Sequence, residues 1–363
     1  MSTSVAVIGA GNGGTAIAAH IASQGGQVRL CDLFPEFLEG IQKSGSIELN
    51  CEGKKQQVTP ALVTSDVKAA VSGAKLVMVV TPAFTHKMIA KACADSLEDG
   101  QIVVLNPGRT AGALEFLETI RACGCEKDVI VSETQTLIYS CRKTGPASVH
   151  IYGVKTSVEI SAFPGNRIQE VLDVLGPFYP QFTPAQSVLG TSLANIGSMF
   201  HPTPVLLNIG RIENDPRGYR YYWDGITPSV AGLIERLDAE RVAVGKAYGI
   251  ELLSAMEWLV RSYDTHGDTL YERIQNNDAY GDIMAPKTIQ ARYMTEDVPN
   301  GLVPIAALGR AAGVETPNID AVITLACSIY GKDFRTEGRS LKNLGLEGLS
   351  RDEIIEYFKT GNK

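Results

Sequence analysis

At 363 residues, with 44% hydrophobic and 20% charged residues, the chain is long for one hydrophobic core and is expected to form two globular domains. A net charge of -7 without a run of Lys or Arg argues against a surface that tracks nucleic-acid phosphates, so anionic substrates need local cations. Seven scattered cysteines without a CxxC pair, no basic leader and no apolar run near the roughly 20 residues of a membrane span read as a soluble, cytoplasmic protein with reduced thiols, not a disulfide frame or a zinc site.

The first half alternates short β-rich runs with helical stretches, the pattern of βαβ units in a parallel sheet. Strands are predicted over Val5–Ile8, Val28–Cys31, Leu76–Val80, Ile102–Leu105 and Val129–Val131. Two further runs, Val149–Tyr152 and Val158–Ala162, flank Lys155 and Thr156 and read as an antiparallel addition. Directly after the first strand comes Gly9-Ala10-Gly11-Asn12-Gly13-Gly14, a GxGxxG turn that opens an Ala-rich helix. Gly9 permits the tight turn, Gly11 lets a pyrophosphate approach the backbone and Gly14 allows close helix–sheet packing, while the helix offers free N–H groups to phosphate. The second strand ends in Asp32, where a carboxylate takes the adenosine ribose hydroxyls. Leu33, Phe34 and Pro35 follow with no cation for a 2′-phosphate, which favours NADH without excluding NADPH. The fingerprint alone also admits FAD. The turns Thr81-Pro82-Ala83 and Asn106-Pro107-Gly108 end two further strands and are expected to line the nicotinamide half of the crevice.

After Pro184 long helical patterns replace the strands. The clearest runs from Val230 to Tyr248, with Thr227 as N-cap, Pro228 at the first helical position and Gly249 as the stop. Ser350 and Glu353 have capping-box spacing and open a terminal helix. The expected fold is therefore α/β, a Rossmann doubly wound parallel sheet over residues 1–186 followed by an all-helical substrate domain over residues 187–363.

Among the five histidines, His20, His86, His150 and His266 have ordinary structural or loop readings. His201 stands in MFHPTPVLLN between helical runs, and Pro202 is expected to break the backbone there, leaving the imidazole free to face a cleft. Arg292 and Asp297 lie five apart in ARYMTEDVPNGLVP; on one regular helix they would point about 140° apart. Pro299 and Gly301 allow a non-helical path on which the two converge, the alternative being a solvated charge pair.

At this point the chain resembles the octopine/opine dehydrogenase family along essentially its whole length, and is most similar to the bacterial N-(1-D-carboxyethyl)-L-norvaline dehydrogenase type. The resemblance is carried by GAGNGG (Gly9–Gly14), NPGRTAGALEF (Asn106–Phe116), SETQTLIYSCR (Ser132–Arg142), TSLANIGSMFHPTPVLLN (Thr191–Asn208), RYMTEDVPNGLVP (Arg292–Pro304) and DFRTEGRSLKNLGL (Asp333–Leu346). It implies a reductive condensation of an amino acid with a 2-oxo acid such as pyruvate, with NADH as reductant. It also implies a His as the acid–base group, an Asp as its partner and an Arg for a substrate carboxylate. His201, Asp297 and Arg292 occupy the matching positions. Histidine's ordinary pKa near 6.5 suits proton exchange in both directions, and the guanidinium fork suits a carboxylate. Cys141 and Arg142 are further candidates for the oxo acid and Glu133 for the nicotinamide side. A homodimer through the helical domain is a candidate assembly, and neither nucleic acid nor membrane is an expected partner. The rival readings are a 2-hydroxy-acid or polyol-phosphate dehydrogenase on a similar scaffold, and a dinucleotide sensor without turnover. The polyol-phosphate enzymes usually rely on lysines, and none stands where His201 does; the trio His201, Arg292 and Asp297 argues against the sensor.

Overall fold

The computed structural model describes residues 3–363. Two compact units are present: one runs to Thr191 and also takes in Glu356–Lys363, the other is Ser192–Ile355. The described strands of both sheets lie in the first unit. They are β1 (Ser4–Ile8), β2 (Gln27–Cys31), β3 (Ile47–Cys51), β4 (Lys54–Val58), β5 (Leu62–Thr64), β6 (Leu76–Val79), β7 (Ile102–Leu105), β8 (Ile130–Thr134), β9 (Tyr139–Gly145), β10 (Ser148–Val154), β11 (Val158–Phe163) and β12 (Phe182–Pro184).

The main sheet has the order β12-β11-β8-β7-β6-β1-β2-β5. From β5 to β8 every pairing is parallel. Residues Val5–Ile8, Leu76–Val79 and Ile102–Leu105 are buried throughout, as continuous apolar runs must be when helices cover both faces of a parallel sheet. The strand order reverses between β1 and β6, and ligands of such sheets bind beyond the carboxyl ends of the strands at that point.

The two runs read as one antiparallel addition separate into different sheets. β11 does join the main sheet antiparallel to β8, pairing Ile160 with Thr134 and Ala162 with Ser132. β10 instead belongs to a four-stranded sheet ordered β4-β3-β10-β9. Strands β3, β4, β5, β9 and β12 have no counterpart in the sequence reading. β4 shows why: Lys54, Lys55, Gln56 and Gln57 are exposed and only Val58 is buried, so no apolar alternation marks it. The turn before it is legible in hindsight, since Glu52 (φ 51°) and Gly53 (φ 76°) both adopt the left-handed conformation that a two-residue hairpin turn requires.

In the second unit the longest helix is Pro228–Ala247, with the Thr227 side chain capping Val230 N–H at 3.4 Å. Arg241 is buried within it. Its guanidinium binds Asp238 (2.9 and 2.7 Å) and the carbonyls of Leu193 and Leu253 (2.8 and 2.6 Å), so the buried charge is paired and hydrogen-bonded inside the fold. The terminal helix, Arg351–Thr360, opens at Ser350, whose N–H donates to Glu353 at 2.7 Å. Its last turns count with the first unit, because Tyr357 and Phe358 pack edge-on against Phe163 and the Tyr357 hydroxyl meets Arg121 at 3.2 Å. Among the described residues no helix is long and apolar enough to cross a membrane.

Candidate active site

In the first unit the glycine turn is built on contacts that only glycine permits. Gly9 has φ +107°, and a Cβ there would lie 2.6 Å from the Val80 carbonyl oxygen and 2.8 Å from Thr81 Cγ2. A Cβ on Gly14 would overlap the Gly9 carbonyl. At Gly11, by contrast, a Cβ would meet nothing within 4 Å, so the backbone face there is open to a ligand. The helix Asn12–Ser23 follows with no side-chain cap and no acidic residue in its first turn, leaving its N–H groups and positive end available to an anion. Gly13 lies on the other side, against Val80 and Leu137.

Asp32 closes the turn. Its Oδ2 accepts from Ala10 N–H at 2.7 Å and its Oδ1 from Phe34 N–H at 3.0 Å. A carboxylate has about four lone-pair sites, so both oxygens retain capacity for hydroxyl donors. Thr81, Pro82 and Ala83 follow β6, with Thr81 against Gly9, and the turn is tied by Thr85 Oγ1, which donates to the Pro82 carbonyl (2.7 Å) and shares a hydroxyl–hydroxyl contact with Thr81 Oγ1 (2.8 Å).

Glu133, the candidate for the nicotinamide side, lies on β8. It is wholly buried, with Oε2 accepting from Ala113 N–H at 2.8 Å and Oε1 from Thr191 Oγ1 at 2.9 Å. Gly108 packs so closely on it that a Cβ would come 2.5 Å from Glu133 Cβ. The carboxylate thus braces the turn after β7 and the helix Gly112–Ala122. Cys141 and Arg142, expected with the oxo acid, lie on β9. Cys141 Sγ donates to the Asn12 carbonyl at 3.6 Å and burial pushes its thiol up to about 11, which groups it with the glycine turn. Arg142 is exposed on the same strand, paired across to His150.

In the second unit His201 joins two short helices, Gly197–Phe200 and Pro202–Leu207. The helical run that precedes His201 is in two pieces, Val188–Leu193 and Gly197–Phe200. Pro202 does interrupt the helix, yet His201 keeps right-handed helical torsions (φ -95°, ψ -54°) and its N–H reaches the Gly197 carbonyl at 2.9 Å. The proline occupies the first position of the new helix, where its missing N–H costs nothing. His201 Nδ1 is 2.8 Å from Asp297 Oδ2, with the imidazole partly exposed and the carboxylate buried. Nε2 has no hydrogen bond among the described residues.

The path bearing Asp297 is helical, contrary to the non-helical path expected. Arg292–Thr295 is one helical turn, Val298–Leu302 a wide π-helical turn, and Val303–Ala311 an α-helix. Arg292 and Asp297 therefore do not converge. Arg292 binds Glu296 through Nε (2.8 Å) and Nη2 (2.6 Å), with 59% of its side chain exposed, while Asp297 takes His201. Gly301 makes the pairing with His201 possible: a Cβ there would overlap Ser198 Oγ and approach Ser198 Cβ to 2.8 Å, so its absence lets the π-turn close on the helix that ends at His201.

Two tyrosines absent from the sequence reading complete this cluster. The Tyr293 ring stacks on His201, with centroids 4.3 Å apart and planes 16° from parallel. Burial and the Asp297 carboxylate raise its phenol above the usual range, against Arg292. Tyr221 packs on Tyr293 (centroids 4.8 Å) and its hydroxyl donates to the His201 carbonyl. The imidazole is thus held by its face, by Nδ1 and by its backbone. One signal was present in sequence: Tyr293 and Asp297 are four apart, as are Arg292 and Glu296, and four-residue spacing places side chains on one helix face.

Comparison with known proteins bears on both units. Residues 184–330 match the family NAD/NADP octopine/nopaline dehydrogenase, alpha-helical domain, and residues 4–122 match NAD-dependent glycerol-3-phosphate dehydrogenase N-terminus. The opine dehydrogenase of Arthrobacter sp. (strain 1C) is 40% identical over 349 residues, covering 96% of this chain and 97% of the relative. The octopine dehydrogenase of Mizuhopecten yessoensis is 28% identical over 377 residues, covering 93% and 92% respectively. In fold the chain is similar to octopine dehydrogenase solved with NADH and L-arginine, at a TM-score of 0.83 and 22% identity, covering 100% of this chain and 99% of that one.

Proposed function

Because the chain belongs to the opine dehydrogenase family, oxidoreductases that act on CH–NH donors, we propose that it condenses the α-amine of an amino acid with a 2-oxo acid such as pyruvate. Loss of water gives an imine, and reduction gives an N-(carboxyalkyl)amino acid; the enzyme also runs the reverse. The observation that carries this reading is the 2.8 Å bond between His201 Nδ1 and Asp297 Oδ2, which leaves Nε2 as the ring nitrogen for proton exchange.

NADH, when bound, supplies the hydride. The open backbone at Gly11, the uncapped helix at Asn12 and the carboxylate of Asp32 suit its pyrophosphate and adenosine ribose. Asp32 would repel a 2′-phosphate, so NADH is the preferred form, with NADPH still admissible. His201, protonated, gives the Nε2 proton to the imine nitrogen as its carbon is reduced; neutral, it takes that proton back from the amine in the oxidative direction. Asp297 accepts a hydrogen bond from Nδ1–H and keeps its charge, which fixes the tautomer and offsets the imidazolium charge. Arg292 keeps N–H donors outside its contact with Glu296, and these suit a substrate carboxylate that a net-acidic chain must attract locally. The free thiols of all seven cysteines fit the reducing cytoplasm, and a homodimer is part of the same proposal; nucleic acid has no role in it.

The test is NADH oxidation with pyruvate, glyoxylate or 2-oxoglutarate, alone and with each proteinogenic amino acid. The expected result is turnover only when both partners are present. Equal NADH loss with the oxo acid alone would support a plain 2-hydroxy-acid dehydrogenase and overturn the proposal. His201→Ala should lower turnover by roughly 10²–10⁴-fold while NADH binding persists.

A further inference from the structure

The glycine turn carries a charge that its own stretch of sequence does not supply. Within the first 35 residues the cation is Arg29, and its guanidinium is committed to the carbonyls of Ala69, Ala70 and Ser72. The small sheet brings another. Its strand β9 runs alongside the helix Asn12–Ser23: Lys143 N–H donates to Asn12 Oδ1 at 2.8 Å, and Lys143 Nζ donates to the Ala10 carbonyl at 3.2 Å. Ala10 is also the residue whose N–H is held by Asp32. The ammonium and the ribose-binding carboxylate therefore flank the same residue of the turn, 133 positions from Lys143 in sequence.

The ammonium is under-compensated where it stands. It is half-buried, and its partner is a neutral carbonyl; burial pulls its pKa down while the Asp32 charge pushes it up. A lysine has three donors, and the Ala10 carbonyl accepts one. Beside it lie the open backbone of Gly11 and a helix N-terminus without a side-chain cap, both suited to anionic oxygen.

We propose that Lys143 is a phosphate-binding residue of the dinucleotide site, delivered to the glycine turn by the small sheet. This rests on the dinucleotide reading of the turn given above. The shared chemistry is an ammonium–phosphate contact, and its source is either the pyrophosphate, common to NADH and NADPH, or the 2′-phosphate of NADPH alone. In the second case Lys143 offsets the repulsion that Asp32 exerts on that phosphate. The small sheet then does more than extend the fold: it completes the nucleotide site.

The experiment titrates NADH and NADPH into the full-length protein and into Lys143→Gln and Lys143→Arg, following nucleotide fluorescence at low and high salt, with melting midpoints as a folding control. Loss of a charge-assisted hydrogen bond should weaken binding by roughly 10- to 100-fold in Lys143→Gln. Lys143→Arg should retain most of the affinity, and the salt dependence should be shallower in the Gln variant. Equal loss for the two nucleotides assigns the contact to the pyrophosphate; loss confined to NADPH assigns it to the 2′-phosphate. Affinity unchanged within twofold for both nucleotides in a folded Lys143→Gln variant would overturn the proposal. If the unmodified protein bound neither nucleotide, the dinucleotide reading itself would fail, which is a separate outcome.

Discussion

Gly301→Ala tests whether one close backbone approach sets the His201–Asp297 pair. Gly301 has no left-handed φ, so alanine suits its backbone and the effect comes from packing alone. The new Cβ would overlap Ser198 Oγ, which can rotate away, and would stand 2.8 Å from Ser198 Cβ, which cannot. Ordinary Cβ contacts begin near 3.4 Å, so the π-turn and the helix Gly197–Phe200 must part by about 0.6 Å. Asp297 sits at the start of that turn and His201 at the end of that helix, so their 2.8 Å bond lengthens toward the limit of hydrogen bonding. Overpacking of this kind costs about 1–3 kcal/mol and should lower the melting midpoint by several degrees. Turnover should fall roughly 10- to 100-fold, the worth of a charge-assisted hydrogen bond. The assay is steady-state NADH oxidation with both substrates, beside an NADH binding isotherm that should not move, because the glycine turn belongs to the other unit. Adding Ser198→Ala removes the nearer clash and should recover part of the loss. Wild-type kcat together with an unchanged midpoint in Gly301→Ala would refute the reasoning.

Asp297→Asn can present an amide N–H to Nδ1 and favour the wrong tautomer, so kcat should fall by roughly two decades with NADH affinity intact; an effect confined to KM would count against the pairing. Tyr293→Phe keeps the stacked ring and should stay near wild-type turnover, whereas Tyr293→Leu should lose about 2- to 10-fold in kcat, the worth of an aromatic pair. Indistinguishable kinetics in the two variants would remove Tyr293 from the account. His20, hydrogen-bonded to Tyr139 and held below the ordinary imidazole range by burial against a smaller pull from Glu52, should make stability depend on pH. Its folded pKa lies below the unfolded one, so the unfolded chain binds the proton more readily, and stability is lost as pH falls from about 6.5 toward the folded value. The melting midpoint should drop across that window and His20→Gln should flatten the drop; a flat wild-type profile would contradict it.

What the sequence by itself determined are the features whose causes are local. The buried runs of β1, β6 and β7 follow from continuous β-branched and apolar stretches. The dinucleotide turn follows from glycines placed where φ or close approach forbids a side chain, and the helix Pro228–Ala247 from its cap, its proline and its stop. Local arithmetic could have gone further, since the four-residue spacings of Tyr293–Asp297 and Arg292–Glu296 mark the helix faces that the five-residue pair Arg292 and Asp297 obscured. Only the tertiary structure decided the partners. His201 and Asp297 are 96 positions apart, and Lys143 is 133 from Ala10. The polar strand β4, the burial of Glu133 and the division of β10 and β11 between two sheets leave no periodic trace. Periodicity and turn chemistry record how a residue sits on its own element, whereas the partner it meets depends on how whole elements pack, and that is set by contacts distant in the chain.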